Sequence, residues 1–228
     1  VMHNVNRLPS PSSESYKAIE DMPMTVATAQ GVLAGASDPD GDELIVASAG
    51  IIAAAGIGGS VALNADGSFN YTAPGDANGV ASFEYVVSDG LEEVTAISTI
   101  TVEAVNDPPT IALASVPAWP AGEAGAKVQP GFASVSAFGP LDEAGQQVQA
   151  WSVRTIADPS GVASSVAIAN DGTLSYTLSG NAGSATFGVT LQDDGGTANG
   201  GDDTSEEQAF TVTVAAGLDL SLAIDDDQ

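Results

Sequence analysis

The chain has 228 residues, with thirty Asp and Glu against four Lys and Arg, a formal net charge of −26. That balance excludes a nucleic-acid binder, which needs Lys and Arg to neutralise phosphate, and it opposes docking on anionic lipid. Yet 43% of the residues are hydrophobic, too many for a disordered acidic chain, so this is a packed protein whose acidic surface repels itself unless something cationic screens it.

Residues 1–18 are rich in Pro and Ser and read as an extended, flexible N-terminal segment. The chain starts at Val1 with no basic stretch followed by an apolar one, which reads as a removed leader or a fragment. Next comes an acidic loop, Asp38-Pro39-Asp40-Gly41-Asp42-Glu43. Carboxylates two residues apart on a tight turn can converge on one hard cation such as calcium, or can form a solvated turn. The spacing is not that of an EF-hand, because Gly41 is fourth and position twelve is Ala49. Residues 44–63 carry no charge and are long enough to span a membrane. The glycines Gly50, Gly56, Gly58 and Gly59, and acidic residues on both flanks, predict two buried strands joined by a Gly-rich loop instead.

The chain then repeats itself. SVALNADGSFNYT at 60–72 and SVAIANDGTLSYT at 165–177 share seven of thirteen positions at an offset of 105 residues, the length of a whole domain. Each copy carries an Asp-Gly hairpin turn, at Asp66-Gly67 and Asp171-Gly172. Val61, Leu63, Phe69 and Tyr71 alternate with small or polar residues, and so do Phe83, Tyr85 and Val87. Val94, Ile97, Ile100 and Val102 alternate with one slip. The fold is therefore all-β: two tandem antiparallel β-sandwiches over 19–107 and 108–216, with extended terminal segments at 1–18 and 217–228. The absence of Cys rules out disulfides and thiolate chemistry, and the single His3 makes a His-based triad or zinc site improbable.

Past the second repeat, Leu218, Leu220, Leu222 and Ile224 alternate with polar or small residues, and Asp225-Asp226-Asp227 follows. This strand pattern can open a further domain, pair with its own domain, or be donated to a neighbouring subunit. A single Gly195–Asp203 stretch resembles a calcium-binding nonapeptide, but one copy cannot build a β-roll.

An ordered string of short motifs then carries a family resemblance. It runs Glu20-Asp21-Met22-Pro23, Gly31-Val32-Leu33, Ser37-Asp38-Pro39-Asp40-Gly41-Asp42, Gly58-Gly59-Ser60-Val61, Asp66-Gly67-Ser68-Phe69-Asn70-Tyr71, Val87-Ser88-Asp89-Gly90 and Ala104-Val105-Asn106-Asp107-Pro108-Pro109. It resembles the bacterial cadherin-like tandem repeats of large secreted and cell-surface proteins. Residues 130–216 resemble an accompanying repeat type. The resemblance implies Ig/cadherin-like sandwiches stabilised by calcium, extracellular or cell-surface placement, and no catalysis. The positions it implies as calcium ligands are Glu20, Asp38, Asp40, Asp42, Asp89, Asn106 and Asp107. Those proposed with them in the second domain are Glu123, Asp142, Glu143, Asp193, Asp194 and Asp203. Two functions follow as expectations. One is a structural subunit of a filament, sheath or surface layer, a homo-oligomer or polymer joined through its terminal segments. The other is a repeat segment of a large adhesin. A carbohydrate-binding module is the lesser alternative, and a cell-surface or carbohydrate ligand stays unnamed.

Overall fold

The computed structural model describes residues 5–217, which divide between Val105 and Asn106 into two compact units, residues 198–200 grouping with the first. In the first unit, β1 (Ser15–Ile19), β3 (Ile45–Val46), β5 (Ala55–Gly56), β8 (Gly79–Ser88) and β9 (Glu93–Glu103) form one sheet. Its order is β1-β9-β8-β3, and β5 also pairs with β8. The strands β2 (Met24–Val26), β4 (Gly50–Ala53), β6 (Ser60–Leu63) and β7 (Phe69–Thr72) form the second, in the order β2-β7-β6-β4.

The alternation read from the sequence is the alternation that is buried. Val61, Leu63, Phe69, Tyr71, Phe83, Tyr85 and Val87 all point into the core. An aromatic string runs through it: Tyr16 meets Phe69 edge-on at 4.9 Å, Phe69 lies 5.3 Å from Phe83, and Phe83 lies 5.9 Å from Tyr85. Such ring pairs add about 0.5–1.5 kcal/mol each beyond the area they bury.

Three expectations change. Tyr16 and Ala18 belong to β1, which pairs in parallel with β9 from Ser15↔Thr99 to Ile19↔Glu103. Part of the segment read as flexible is thus an edge strand of the first sheet. The slip in β9 disappears, because its inward residues are Ala96, Ser98, Ile100 and Val102 while Ile97 is 52% exposed. Residues 44–63 are not two buried strands. The chain passes from one sheet (β3) to the other (β4) and back (β5), and Ile51 on β4 is 79% exposed.

The second unit holds β10 (Thr110–Leu113) against β12 (Ala133–Ala137). A second sheet has the order β11 (Ala124–Gln129), β15 (Leu174–Ser179), β14 (Ala163–Ile168). A third runs β13 (Val148–Ala157), β16 (Gly183–Asp193), β17 (Gln208–Val214). Its core packs Leu174, Tyr176 and Leu178 of β15 with Phe187, Val189 and Leu191 of β16 and Phe210 and Val212 of β17. Phe132 closes on Phe210 at 4.8 Å, and the Trp119 indole donates to the Tyr176 hydroxyl at 3.0 Å.

Both units build the predicted Asp-Gly hairpins. Asp66 accepts from the Ser68 N–H at 3.0 Å, and Asp171 from the Thr173 N–H at 2.9 Å. Gly67 (φ 82°) and Gly172 (φ 80°) take the left-handed conformation the turn needs. Each turn glycine's carbonyl then accepts from a strand or loop beneath it, from Val32 N–H and Ala133 N–H respectively.

Candidate metal centres

The acidic loop of the first unit folds on itself as an Asx turn. One oxygen of Asp38 accepts the backbone N–H groups of Asp40 (2.7 Å), Gly41 (3.0 Å) and Asp42 (3.3 Å). Carboxylate oxygens of Asp38, Asp40 and Asp42 then lie within 4.8 Å of one another. Asp40 is approached by Arg7, whose backbone N–H donates to one oxygen (2.7 Å) and whose Nε and Nη2 donate to the other (3.0 and 2.8 Å). Arg7 Nη2 also donates to the Pro39 carbonyl. The neighbouring Asn6 donates from Nδ2 to Asp89 at 2.8 Å, so adjacent residues tie Asp40 and Asp89 to one strand of chain. Asp89 also accepts from the Leu91 and Glu92 N–H groups. The Glu92 N–H, then Asn6 and the Leu91 N–H, hold its carboxyl below the usual range.

Glu20 stands apart from these residues. It is 1% exposed and accepts from the Val105 N–H at 3.0 Å, beside the end of β9, whereas Asp89 precedes its start. Eleven extended residues separate those ends, about 35 Å.

The second unit gathers a different set. Asn106 is 8% exposed, and its Nδ2 donates to Asp193 (3.2 Å) and to the Asp202 carbonyl (2.8 Å), while its oxygen accepts from Gln146 (2.5 Å). The Asp107 N–H donates to both oxygens of Glu143, at 3.0 and 3.2 Å. Glu143 is 8% exposed and Asp193 is fully buried, one of its oxygens having no hydrogen-bond partner. Burial pushes the Glu143 carboxyl above the usual range, helped by the charges of Asp107, Asp142 and Asp193. Burial likewise raises Asp193, with Asp203 and Asp194 adding to it. Glycines make the room: a Cβ on Gly195 would fall 1.7 Å from the Asn106 oxygen, and one on Gly139 would fall 1.7 Å from a Glu143 oxygen.

The structure therefore brings Asn106, Asp107, Asp142, Glu143 and Asp193 together. It diverts others. Glu123 pairs with Lys127, whose ammonium lies 4.4 Å from the Trp119 ring. Asp203 accepts from Gln192 and Thr204, which hold its carboxyl down, and Asp194 accepts the Gln147 N–H. Leu218, Leu220, Leu222 and Ile224 lie outside the described residues. Sequence reading missed Asn6, Arg7, Gln146 and the cradling glycines. The signal for Asn6 and Arg7 was available, since Val5-Asn6-Arg7-Leu8-Pro9 echoes Val105-Asn106-Asp107-Pro108-Pro109.

The donors of the second cluster are all oxygens, and a buried carboxylate among like charges is costly unless a cation offsets it. That is the chemistry of a hard divalent ion.

A family model described as the bacterial cadherin-like domain matches residues 6–105. Among solved structures, the chain is similar to human protocadherin-24 EC1-2, at 19% identity and a TM-score of 0.59, covering 94% of this chain and 100% of that one. It is also similar to Drosophila N-cadherin EC1-4, at 15% identity and a TM-score of 0.50, covering 93% of this chain and 50% of that one. At such identities the likeness concerns the fold alone. No curated protein matches the chain. The family match starts at Asn6, inside the segment read as a linker, in keeping with its contacts to Asp40 and Asp89. Residues 6–105 thus match the bacterial cadherin-like domain model, in a chain whose fold is similar to that of tandem cadherin ectodomain repeats.

Proposed function

We propose that this chain is a non-catalytic segment of an extracellular adhesion or structural protein, and that calcium stabilises its second unit. The observation that carries the calcium assignment is the pair of buried carboxylates, Glu143 and Asp193, raised in proton affinity and set beside Asp107 with no cationic side chain among their hydrogen-bond partners. Glu143, Asp193 and Asp107 would hold the ion, with Asn106 and Gln146 fixing their positions. When bound, calcium supplies the positive charge that lets both buried acids ionise. The lone pair on Asp193 left without a hydrogen-bond donor suits a ligand atom.

Two forms of this function stood open, a polymerising subunit and a stretch of a longer adhesin. The charge distribution favours the second. Arg7, Lys17, Lys127 and Arg154 form ion pairs with Asp40, Glu103, Glu123 and Glu207, each inside its own unit. Those are all four Lys and Arg of the chain, so a second copy offers little free positive charge to a surface of net charge −26. Adhesive contact then depends on a different partner or on bridging cations.

Calorimetry of the full chain with calcium or with chelator tests the proposal. Calcium at a hundred times its dissociation constant adds about 2.7 kcal/mol to the unit that binds it. For a domain of this size that raises the melting temperature by on the order of 10 °C. An unchanged thermogram would refute calcium stabilisation. Asp193→Asn should abolish the response.

A further inference from the structure

The segment before the first sandwich repeats the segment before the second. Val5-Asn6-Arg7-Leu8-Pro9 and Val105-Asn106-Asp107-Pro108-Pro109 lie 100 residues apart and share Val, Asn and the last Pro. Their contacts correspond as well. Asn6 donates to Asp89, just past β8, and Asn106 donates to Asp193, at the end of β16. The next backbone N–H donates to a carboxylate in each case, Arg7 to Asp40 at 2.7 Å and Asp107 to Glu143 at 3.0 Å.

One element of the pattern is inverted. Asp107 brings a further acidic side chain beside Glu143. In its place Arg7 brings a guanidinium, which sits on Asp40 through Nε and Nη2 and reaches the Pro39 carbonyl. The Asp40 side chain is only 6% exposed beneath it, so the pair is shielded from water on the carboxylate side.

We infer that Arg7 is a built-in counter-ion: it takes, at the Asp38-Asp40-Asp42 carboxylates, the electrostatic place that a divalent cation takes at Asp107-Glu143-Asp193. Asp40 thereby has its counter-charge without a metal. A guanidinium is charged at every accessible pH, here places two donors on one Asp40 oxygen, and is not removed by a chelator. It also repels a second cation from the same carboxylates. The comparison with the second cluster rests on the calcium reading above, whereas the contacts of Arg7 stand without it.

Calcium titration calorimetry on the full chain, with chelator-dependent melting, tests the inference. Asp40→Asn should bind as much calcium as the wild type. Arg7→Asp, which restores the charge found at the second junction, should bind one ion more and make the first unit's melting sensitive to chelator. Arg7→Gln, a milder change should Arg7→Asp fold poorly, should raise calcium affinity at the first unit at least tenfold. The inference is overturned if Asp40→Asn loses an ion that the wild type binds, or if both Arg7 variants bind no more calcium than the wild type. Failure of the second-unit assignment is seen separately, as retention of the wild-type ion by Asp193→Asn with Arg7 intact, and it leaves the Arg7 comparison readable.

Discussion

Asp89 and Asp193 occupy corresponding places in the two units, at the end of a long inner strand, and each accepts a hydrogen bond from an Asn side chain. Their electrostatics are nevertheless opposite. Asp89 is partly exposed and held below the usual carboxylate range by three hydrogen bonds, whereas Asp193 is fully buried and lifted above it. The difference teaches that a shared motif fixes where a carboxylate sits, while depth and the sign of the adjacent side chain fix what it does there.

The comparison breaks most visibly through the cores. Phe187→Ala should cost the second unit about 3–5 kcal/mol and Phe69→Ala should cost the first as much. Calorimetry then identifies which transition belongs to which unit, and a variant that lowers both equally would show that they do not melt separately. Chelation comes next: it should lower the second unit's transition by on the order of 10 °C and leave the first in place.

The two hairpins should differ by less. Gly172→Ala places a Cβ 1.9 Å from the Ala133 carbonyl oxygen, a backbone atom that cannot step aside. Gly67→Ala meets Leu33, whose side chain lies 2.9 Å away and can turn, though its N is at 3.0 Å. Both carry the cost of a left-handed alanine, about 1–2 kcal/mol, and the second-unit variant should be the worse by about 1 kcal/mol or more in urea melts.

The smallest effect is in pH. In chelator, the contribution of Asp193 is present below the pKa of an unfolded Asp and is lost as pH rises through its raised folded value. That of Asp89 is present above the unfolded pKa and is lost as pH falls through its depressed folded value. Asp193→Asn should therefore gain stability over wild type as pH rises through the carboxylate range, and Asp89→Asn should lose it. Parallel pH curves for the two variants would contradict the contrast.

Much of the fold was legible in the sequence because it is local. The Asp-Gly turns and the alternation around Phe69, Tyr71, Phe83 and Tyr85 need only near neighbours to declare themselves. What escaped depends on distant ones. Tyr16 and Ala18 look like part of a polar linker until β9 is beside them, and Ile97 looks like a core residue until Ser98 is seen to point inward. The candidate site was legible as a list of acids but not as a set. Glu123 and Asp203 have the right chemistry and partners elsewhere, Lys127 and Gln192, and Glu20 lies at the far end of a long strand from Asp89. Pairing across tens of residues decides such matters.

The parallel pairing of β1 with β9 has a mechanical consequence. Past its anchors at Asn6, Arg7 and Ser10, the chain joins the first unit's sheet at the start of β1 and leaves that sheet at the end of β9, and those strands run side by side over five residue pairs from Ser15↔Thr99 to Ile19↔Glu103. Tension along the chain pulls the two strands past each other, so the ladder is loaded in shear and its hydrogen bonds resist together instead of opening one by one. In the second unit the only parallel pairing among the described residues is a single bridge between Trp119 and Val214. Under a steady pull, the second unit should give way at lower force and the first should bear the load longer.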